Sequence, residues 1–144
     1  MIYIFDLDGT VIDSAHRLGN GSISYYNRNK HLIYKDSRLP LADFMDTVNN
    51  DPKARILICT SRVLDDADFR SFERLGIQYD AILSRSPGQT LPCADLKENL
   101  LTQAAFSLGL TFSQFCKNAI MFEDTISVIT RLRSLGLTVI NANK

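Results

Sequence analysis

Five short apolar runs limit what this chain can become. Ile2 to Phe5, Arg55 to Thr60, Ala81 to Ser84, Ala119 to Phe122 and Thr138 to Ala142 are rich in β-branched and aromatic residues and lack apolar–polar alternation. Strands that read this way are covered on both faces, and such sheets are mostly parallel. Parallel neighbours need long crossovers. Helical patterns at Asp65 to Leu75, Leu96 to Leu108 and Ser127 to Leu135 supply them, each stopped by a glycine (Gly76, Gly109, Gly136). The alternation predicts an α/β fold around a central parallel sheet. A chain of 144 residues is the length of one domain with a core of its own.

The pattern breaks between Asp13 and Asp51. The stretch GNGSISYYNRNKHLIYKDSRLP is polar, glycine-bearing and aromatic, and reads as a loop or hairpin insertion over about residues 13–40, with a helix following at Leu41 to Val48. An insertion this short makes no separate cap domain, so an open cleft is expected.

Open parallel sheets take their ligands outside the carboxyl ends of the strands. Four of the runs end there in polar groups: Asp6-Leu7-Asp8, Thr60-Ser61-Arg62, Ser84-Arg85 and Glu123-Asp124. Asp6 and Asp8 are two residues apart, so on an extended chain both carboxylates leave one face. Carboxylates that close repel unless a cation compensates, and hard oxygen donors suit Mg²⁺, with Glu123 and Asp124 placed to complete the shell. A carboxylate is also a competent nucleophile toward phosphorus.

Composition removes other classes. The formal net charge of +0 provides no broad field for long nucleic acid. Cys59, Cys93 and Cys116 are odd in number and lack metal-type spacing, which reads as reduced thiols in a cytosolic, cytoplasmic protein. No run approaches a membrane span, and Asp6 and Asp8 interrupt the N-terminus too early for a signal peptide.

The stretch FDLDGT resembles the first motif of the haloacid dehalogenase (HAD) superfamily of phosphotransferases, an apolar strand followed by DxDGT. A strand ending in Thr60, a lysine at Lys97 opening a helix, and the acidic pair Glu123-Asp124 follow in that superfamily's order. The resemblance implies a three-layer α/β/α, Rossmann-like fold without a large cap. It also implies a division of labour. Asp6 attacks phosphorus, Asp8 protonates the leaving oxygen and then activates water, Thr60 bonds the phosphoryl group, and Lys97 neutralises charge. Mg²⁺ is held by Asp6, Asp124 and the backbone carbonyl of Asp8, with Glu123 assisting.

Finer similarity extends to the phosphatase domain of polynucleotide kinase-phosphatases and related phage phosphatases, through ICTSR, ILSR, DLK and DSAHR. It implies substrate contacts from Gly9, Thr10, Arg17, Ser61, Arg62 and Arg85. Ser61 stands where glycine is common, and Glu123 where aspartate is usual. The resemblance implies a Mg²⁺-dependent phosphomonoesterase working through an aspartyl-phosphate, with a polynucleotide 3'-phosphate end as substrate. A nucleoside monophosphate is the alternative, and a catalytically weak phosphoryl-ligand or protein-binding module a further one. Without a GxxxxGK[ST] loop no kinase activity is expected. Tyr25, Tyr26 and Tyr34 are read as packing the insertion onto the domain rather than as a stacking platform, and Cys59 as a small buried hydrophobe.

Overall fold

The computed structural model, which describes residues 1–19 and 22–143, sets Ile2–Phe5 (β1) at the centre of a five-stranded parallel sheet. The chain continues through β2 (Ile12–Asp13), α1 (Ala15–Leu18), α2 (Ile23–Asn29), a 3-10 helix (Lys30–Lys35), β3 (Ser37–Arg38) and α3 (Leu41–Asn49). It then follows β4 (Arg55–Cys59), α4 (Asp66–Leu75), β5 (Ala81–Leu83), α5 (Cys93–Ser107), α6 (Phe112–Lys117), β6 (Ala119–Glu123), α7 (Ile126–Ser134) and β7 (Thr138–Asn141). The sheet order is β5-β4-β1-β6-β7, and the register sets Phe5 beside Ile58 on one side and Phe122 on the other.

Both faces of the sheet are covered, which is why its strands read as unbroken apolar runs. Ile2 and Ile4 of β1 face a core completed by Leu101 and Ala105 of α5, Phe115 of α6 and Val128 and Leu132 of α7. Phe5 faces the other way, into a core with Ala42 and Met45 of α3 and Phe72 of α4. Phe5 and Phe122 stack across neighbouring strands with ring centroids 5.0 Å apart. Truncating a fully buried residue such as Phe5 or Met121 to alanine costs about 3–5 kcal/mol.

Helix α5 begins at Cys93, ahead of the expected Leu96, because Pro92 is an ordered N-terminal boundary whose carbonyl takes the Leu96 N–H. Helix α6 was not expected from the sequence. It is one short element closed by a capping box in which the Thr111 hydroxyl accepts the Gln114 N–H and the Gln114 side chain accepts the Thr111 N–H.

The 13–40 insertion, expected as a loop or hairpin, is largely helical; Asn20 and Gly21 within it lie outside the described residues. What exists of a hairpin is the antiparallel pairing of β2 with β3, Ile12 opposite Arg38 and Asp13 opposite Ser37, which closes the base of the insertion. Helix α2 starts where the Ser22 hydroxyl accepts the Tyr25 N–H, a local signal that the polar composition masked. Among the described residues no helix is long and apolar enough to cross a membrane.

Candidate active site

Asp6 follows the last residue of the central strand, where the chain leaves the sheet in a tight turn. The Leu7 carbonyl collects the N–H groups of Thr10, Val11 and Ile12, and the Leu7 side chain is fully buried beneath them. Gly9 sits in the turn at φ 76°, in the left-handed region that glycine enters without penalty. It is required for a second reason: a Cβ there would run into the Asp124 carboxylate, which lies directly against the Gly9 backbone.

The Asp6 carboxylate is held at both oxygens. Thr10 Oγ1 donates to Oδ2 at 3.1 Å, and Lys97 Nζ donates to Oδ1 at 2.7 Å. Lys97, on α5 and 2% exposed, bridges to Glu123 Oε2 at 2.6 Å. Although burial disfavours its charge, Asp6 and Glu123 outweigh this and raise the Lys97 pKa above the usual lysine range, so the ammonium stays charged. The other oxygen of Glu123 accepts the backbone N–H groups of Asp124 and Thr125, both at 3.1 Å. Glu123 therefore has both oxygens engaged, and its carboxyl is pushed up by burial and by the charge of Asp6.

Asp6, Glu123 and Asp124 each offer one oxygen, and these lie within 4.8 Å of one another. A cluster of hard carboxylate oxygens fits Mg²⁺ better than a soft metal. The Asp124 carboxyl is pushed up to about 8 by burial and then by its hydrogen bond and charge repulsion with Asp6. Carboxylates that repel one another in this way form a donor set that a cation would stabilise.

Asp8 is held differently. Arg62 Nε donates to its Oδ2 at 2.9 Å and Arg62 Nη2 to its Oδ1 at 2.5 Å, while the Ser14 hydroxyl donates to Oδ1 at 2.5 Å. Burial works against the charge of Asp8, but the guanidinium prevails and keeps its carboxyl below the usual range. Thr60 is buried at the end of β4, where its Oγ1 accepts the Arg62 N–H at 3.1 Å. Ser61 Oγ is buried without a hydrogen-bond partner.

The arginines expected to meet substrate are engaged inside the protein. Arg17 has no surface exposure and lays its guanidinium bidentately on Asp36, Nε to Oδ1 at 2.9 Å and Nη2 to Oδ2 at 2.8 Å. Its Nη1 is buried without a partner. Arg85 joins two loops, giving Nε to the Ser61 carbonyl and Nη1 to the carbonyls of Gln89 and Leu91. Arg62 also reaches Asp68 through Nη1 at 3.0 Å. Tyr26 lies under Arg17, Lys30 and Arg62, with 5.0, 5.3 and 6.0 Å to its centroid, so it packs the insertion onto the domain.

Sequence reasoning missed Ser14, Lys30, Asp36 and Asp68 as members of this assembly. Only Asp68 carried a signal, as the third helical residue of a capping box opened by Asp65. Cys59, next to Thr60, is fully buried with its thiol pushed up to about 12 by burial, and is chemically inert packing. A hollow of about 680 Å³ beside Gly76 and Tyr79 lies at the opposite end of the sheet and is remote from these carboxylates.

The family model described as "Bacteriophage T5 5'-deoxynucleotidase" matches residues 1–144. The 5'-deoxynucleotidase of Escherichia phage T5 is 34% identical over 87 residues, which span 54% of this chain and 36% of that protein. In three dimensions the chain is similar to one in the Pnkp1/Rnl/Hen1 RNA repair complex, with a TM-score of 0.72 at 18% identity, covering 97% of this chain and 41% of that one. A hydrolase from Streptococcus pneumoniae TIGR4 gives a TM-score of 0.63 at 14% identity, covering 96% and 90% of the two chains. Phosphoserine phosphatase in apo form gives 0.56 at 13%, covering 95% and 84%. These structural likenesses show a common HAD-like fold.

Proposed function

The chain belongs to the bacteriophage T5 5'-deoxynucleotidase family, and on that premise we propose that it is a phosphoric monoester hydrolase that removes phosphate from a deoxynucleoside 5'-monophosphate. One observation carries the reading. Asp6 emerges from the central strand with its carboxylate steered by Lys97 and Thr10, beside two further carboxylates suited to a hard cation. Buried carboxylates assembled at a strand's carboxyl end cost stability, and phosphoryl transfer is a chemistry that uses that arrangement.

In the proposed reaction an Asp6 oxygen attacks phosphorus as the bond to the nucleoside oxygen breaks. That oxygen takes a proton from Asp8, which Arg62 keeps ionised in the free protein and which takes that proton up from solvent once the negative charge of the substrate lies beside it. Asp8, then a carboxylate, accepts a proton from water as the water oxygen attacks the phospho-aspartate, releasing phosphate and restoring Asp6. Lys97 stays charged throughout and offsets the negative charge gathered on Asp6 and the phosphoryl oxygens. Asp6 and Asp124, with the backbone carbonyl of Asp8, would hold Mg²⁺, which when bound supplies charge neutralisation between carboxylate and phosphate. Glu123 orients Lys97 and the Asp124-Thr125 backbone and would assist the ion directly or through water.

A mononucleotide is preferred to a polynucleotide 3' end because of how the cations are engaged. Binding a polymer draws on several unpaired cations for its backbone phosphates. Here Arg17, Arg62 and Lys97 serve internal carboxylates and Arg85 serves backbone carbonyls. A hollow of about 380 Å³ beside Gly9 and Thr10, walled by Leu39, Leu41 and Ala142, is of a size for one small ligand.

The test is phosphate release, with and without Mg²⁺, from deoxynucleoside 5'-monophosphates, a 3'-phosphorylated oligonucleotide and an aryl phosphate. The expected result is metal-dependent release from the mononucleotides that disappears in Asp6→Asn. Preference for the oligonucleotide would reverse the substrate assignment, and no release from any of them would leave a phosphoryl-ligand binding module.

A further inference from the structure

Behind Asp8 runs a line of charged groups that the proposed reaction does not itself consume. Arg62 faces Asp8 with one edge of its guanidinium and gives Nη1, on the other edge, to Asp68 Oδ1 at 3.0 Å. Asp68, on α4 and without solvent exposure, accepts Lys30 Nζ at 2.5 Å and the Asp65 N–H at 2.9 Å through its second oxygen. Lys30 belongs to the 3-10 helix of the insertion, and the Tyr26 ring of α2 underlies both Lys30 and Arg62. Asp36 stands 3.6 Å from Arg62 Nη2. Water does not compete for the contact between Arg62 and Asp68, whose side chains are buried, while Asp8 and Lys30 at the two ends are partly exposed.

A guanidinium meets a carboxylate as one planar fork against another, so each fixes the plane of its partner. Asp8 lies where Arg62 directs it, and Arg62 lies where Asp68 holds its far edge. Without Asp68, Arg62 would lose the contact that fixes its far edge, leaving only Ser14 to hold Asp8 on the other side. We propose that Asp68 is a positioning residue for proton transfer by Asp8, acting through Arg62, and that Lys30 ties the same geometry to the insertion. The proposal rests on the phosphatase reading above.

Its consequence depends on the leaving group. The oxygen of a nucleoside leaves poorly unless it is protonated as the P–O bond breaks, and a positioned acid contributes about 10²–10⁴-fold to such a step. The oxygen of p-nitrophenyl phosphate leaves as a stable aryl oxide that needs no proton. In kcat/KM, which reports the steps up to departure of the leaving group and not the later attack of water, a defect in the orientation of Asp8 therefore appears with one substrate and not with the other, whereas a general loosening of the fold affects both.

The experiment compares kcat and KM of wild type, Asp68→Asn and Lys30→Met on a deoxynucleoside 5'-monophosphate and on p-nitrophenyl phosphate, with thermal melts confirming that each is folded at the assay temperature. For Asp68→Asn the expected result is a kcat/KM reduced roughly 30-fold on the nucleotide, with kcat/KM for the aryl phosphate within about threefold of wild type. Adding Asp68→Asn to an Arg62→Gln background is expected to change nothing further, because Asp68 acts through Arg62. Lys30→Met, one step further out and on a partly exposed side chain, is expected to show the same substrate pattern at roughly threefold, and carries the test if Asp68→Asn does not fold. Equal losses of kcat/KM on both substrates, or an unchanged kcat/KM on the nucleotide in folded variants, would overturn the proposal and leave the phosphatase reading intact. A wild type inactive on both substrates would instead overturn that reading, and this proposal with it.

Discussion

Replacing Lys97 with methionine keeps most of the side-chain volume and removes the one cation that Asp6 and Glu123 share. The ammonium lies 2.7 Å from Asp6 and 2.6 Å from Glu123, and its side chain is 3% exposed, so water does not readily take its place. Breaking a buried ion pair by removing one partner costs about 3–5 kcal/mol, because a charge is left buried and uncompensated. For a domain of this size that corresponds to a melting temperature lowered by roughly 10–15 °C. Thermal and urea melts at neutral pH without Mg²⁺ measure it.

The deficit should narrow in acid. Glu123 is already pushed up by burial and by Asp6, and losing Lys97 raises it further, so the folded variant binds a proton that the unfolded chain lacks. Stability of the variant relative to wild type then rises as pH falls from neutral toward the ordinary glutamate value of about 4.3. Mg²⁺ should return part of the loss by lending the carboxylates another cation. A Lys97→Met protein within about 1 kcal/mol of wild type at neutral pH, without metal, would refute the reasoning, since 3–5 kcal/mol is expected of a buried pair.

Three further outcomes are expected. With Asp124 pushed up to about 8, the folded protein without metal holds a proton between the ordinary aspartate value of about 3.9 and about 8, so this group's contribution to stability falls as pH rises through that window; Mg²⁺ should flatten the trend, and calorimetry in buffers of different ionisation enthalpy should detect proton release on metal binding at pH 7. Gly9→Ala meets both the left-handed backbone and the Asp124 carboxylate; about 1–2 kcal/mol of stability and a roughly tenfold rise in the Mg²⁺ needed for half-maximal activity are expected, read by melts and a metal titration. Arg17→Lys keeps the charge but loses the fork on Asp36; a stability loss of about 2–4 kcal/mol with KM unchanged, measured by urea melts and steady-state kinetics, would mark Arg17 as a strut rather than a substrate contact.

The comparison of expectation with structure divides along interaction range. The strands were legible as short unbroken apolar runs covered on both faces, and α3, α4 and α7 because each buries a periodic apolar face; both signals are written in consecutive residues. The helical character of the insertion was not, because α2 is short, polar and fastened by Tyr26 and Lys30 to groups elsewhere in the chain.

By itself, then, the sequence determined a parallel α/β sheet and where its candidate site gathers, since Asp6, Thr60 and Glu123 mark the carboxyl ends of apolar runs whatever their neighbours do. Only the tertiary structure decided which charges face one another. Lys97 meets Asp6 across 91 residues of chain, Arg62 meets Asp8 across 54, and Arg17 meets Asp36 across 19. An arginine's partner depends on which elements pack within a few ångströms of it. No local spacing encodes that, and burial then makes the pairing obligatory because an isolated charge in the interior is too costly to keep.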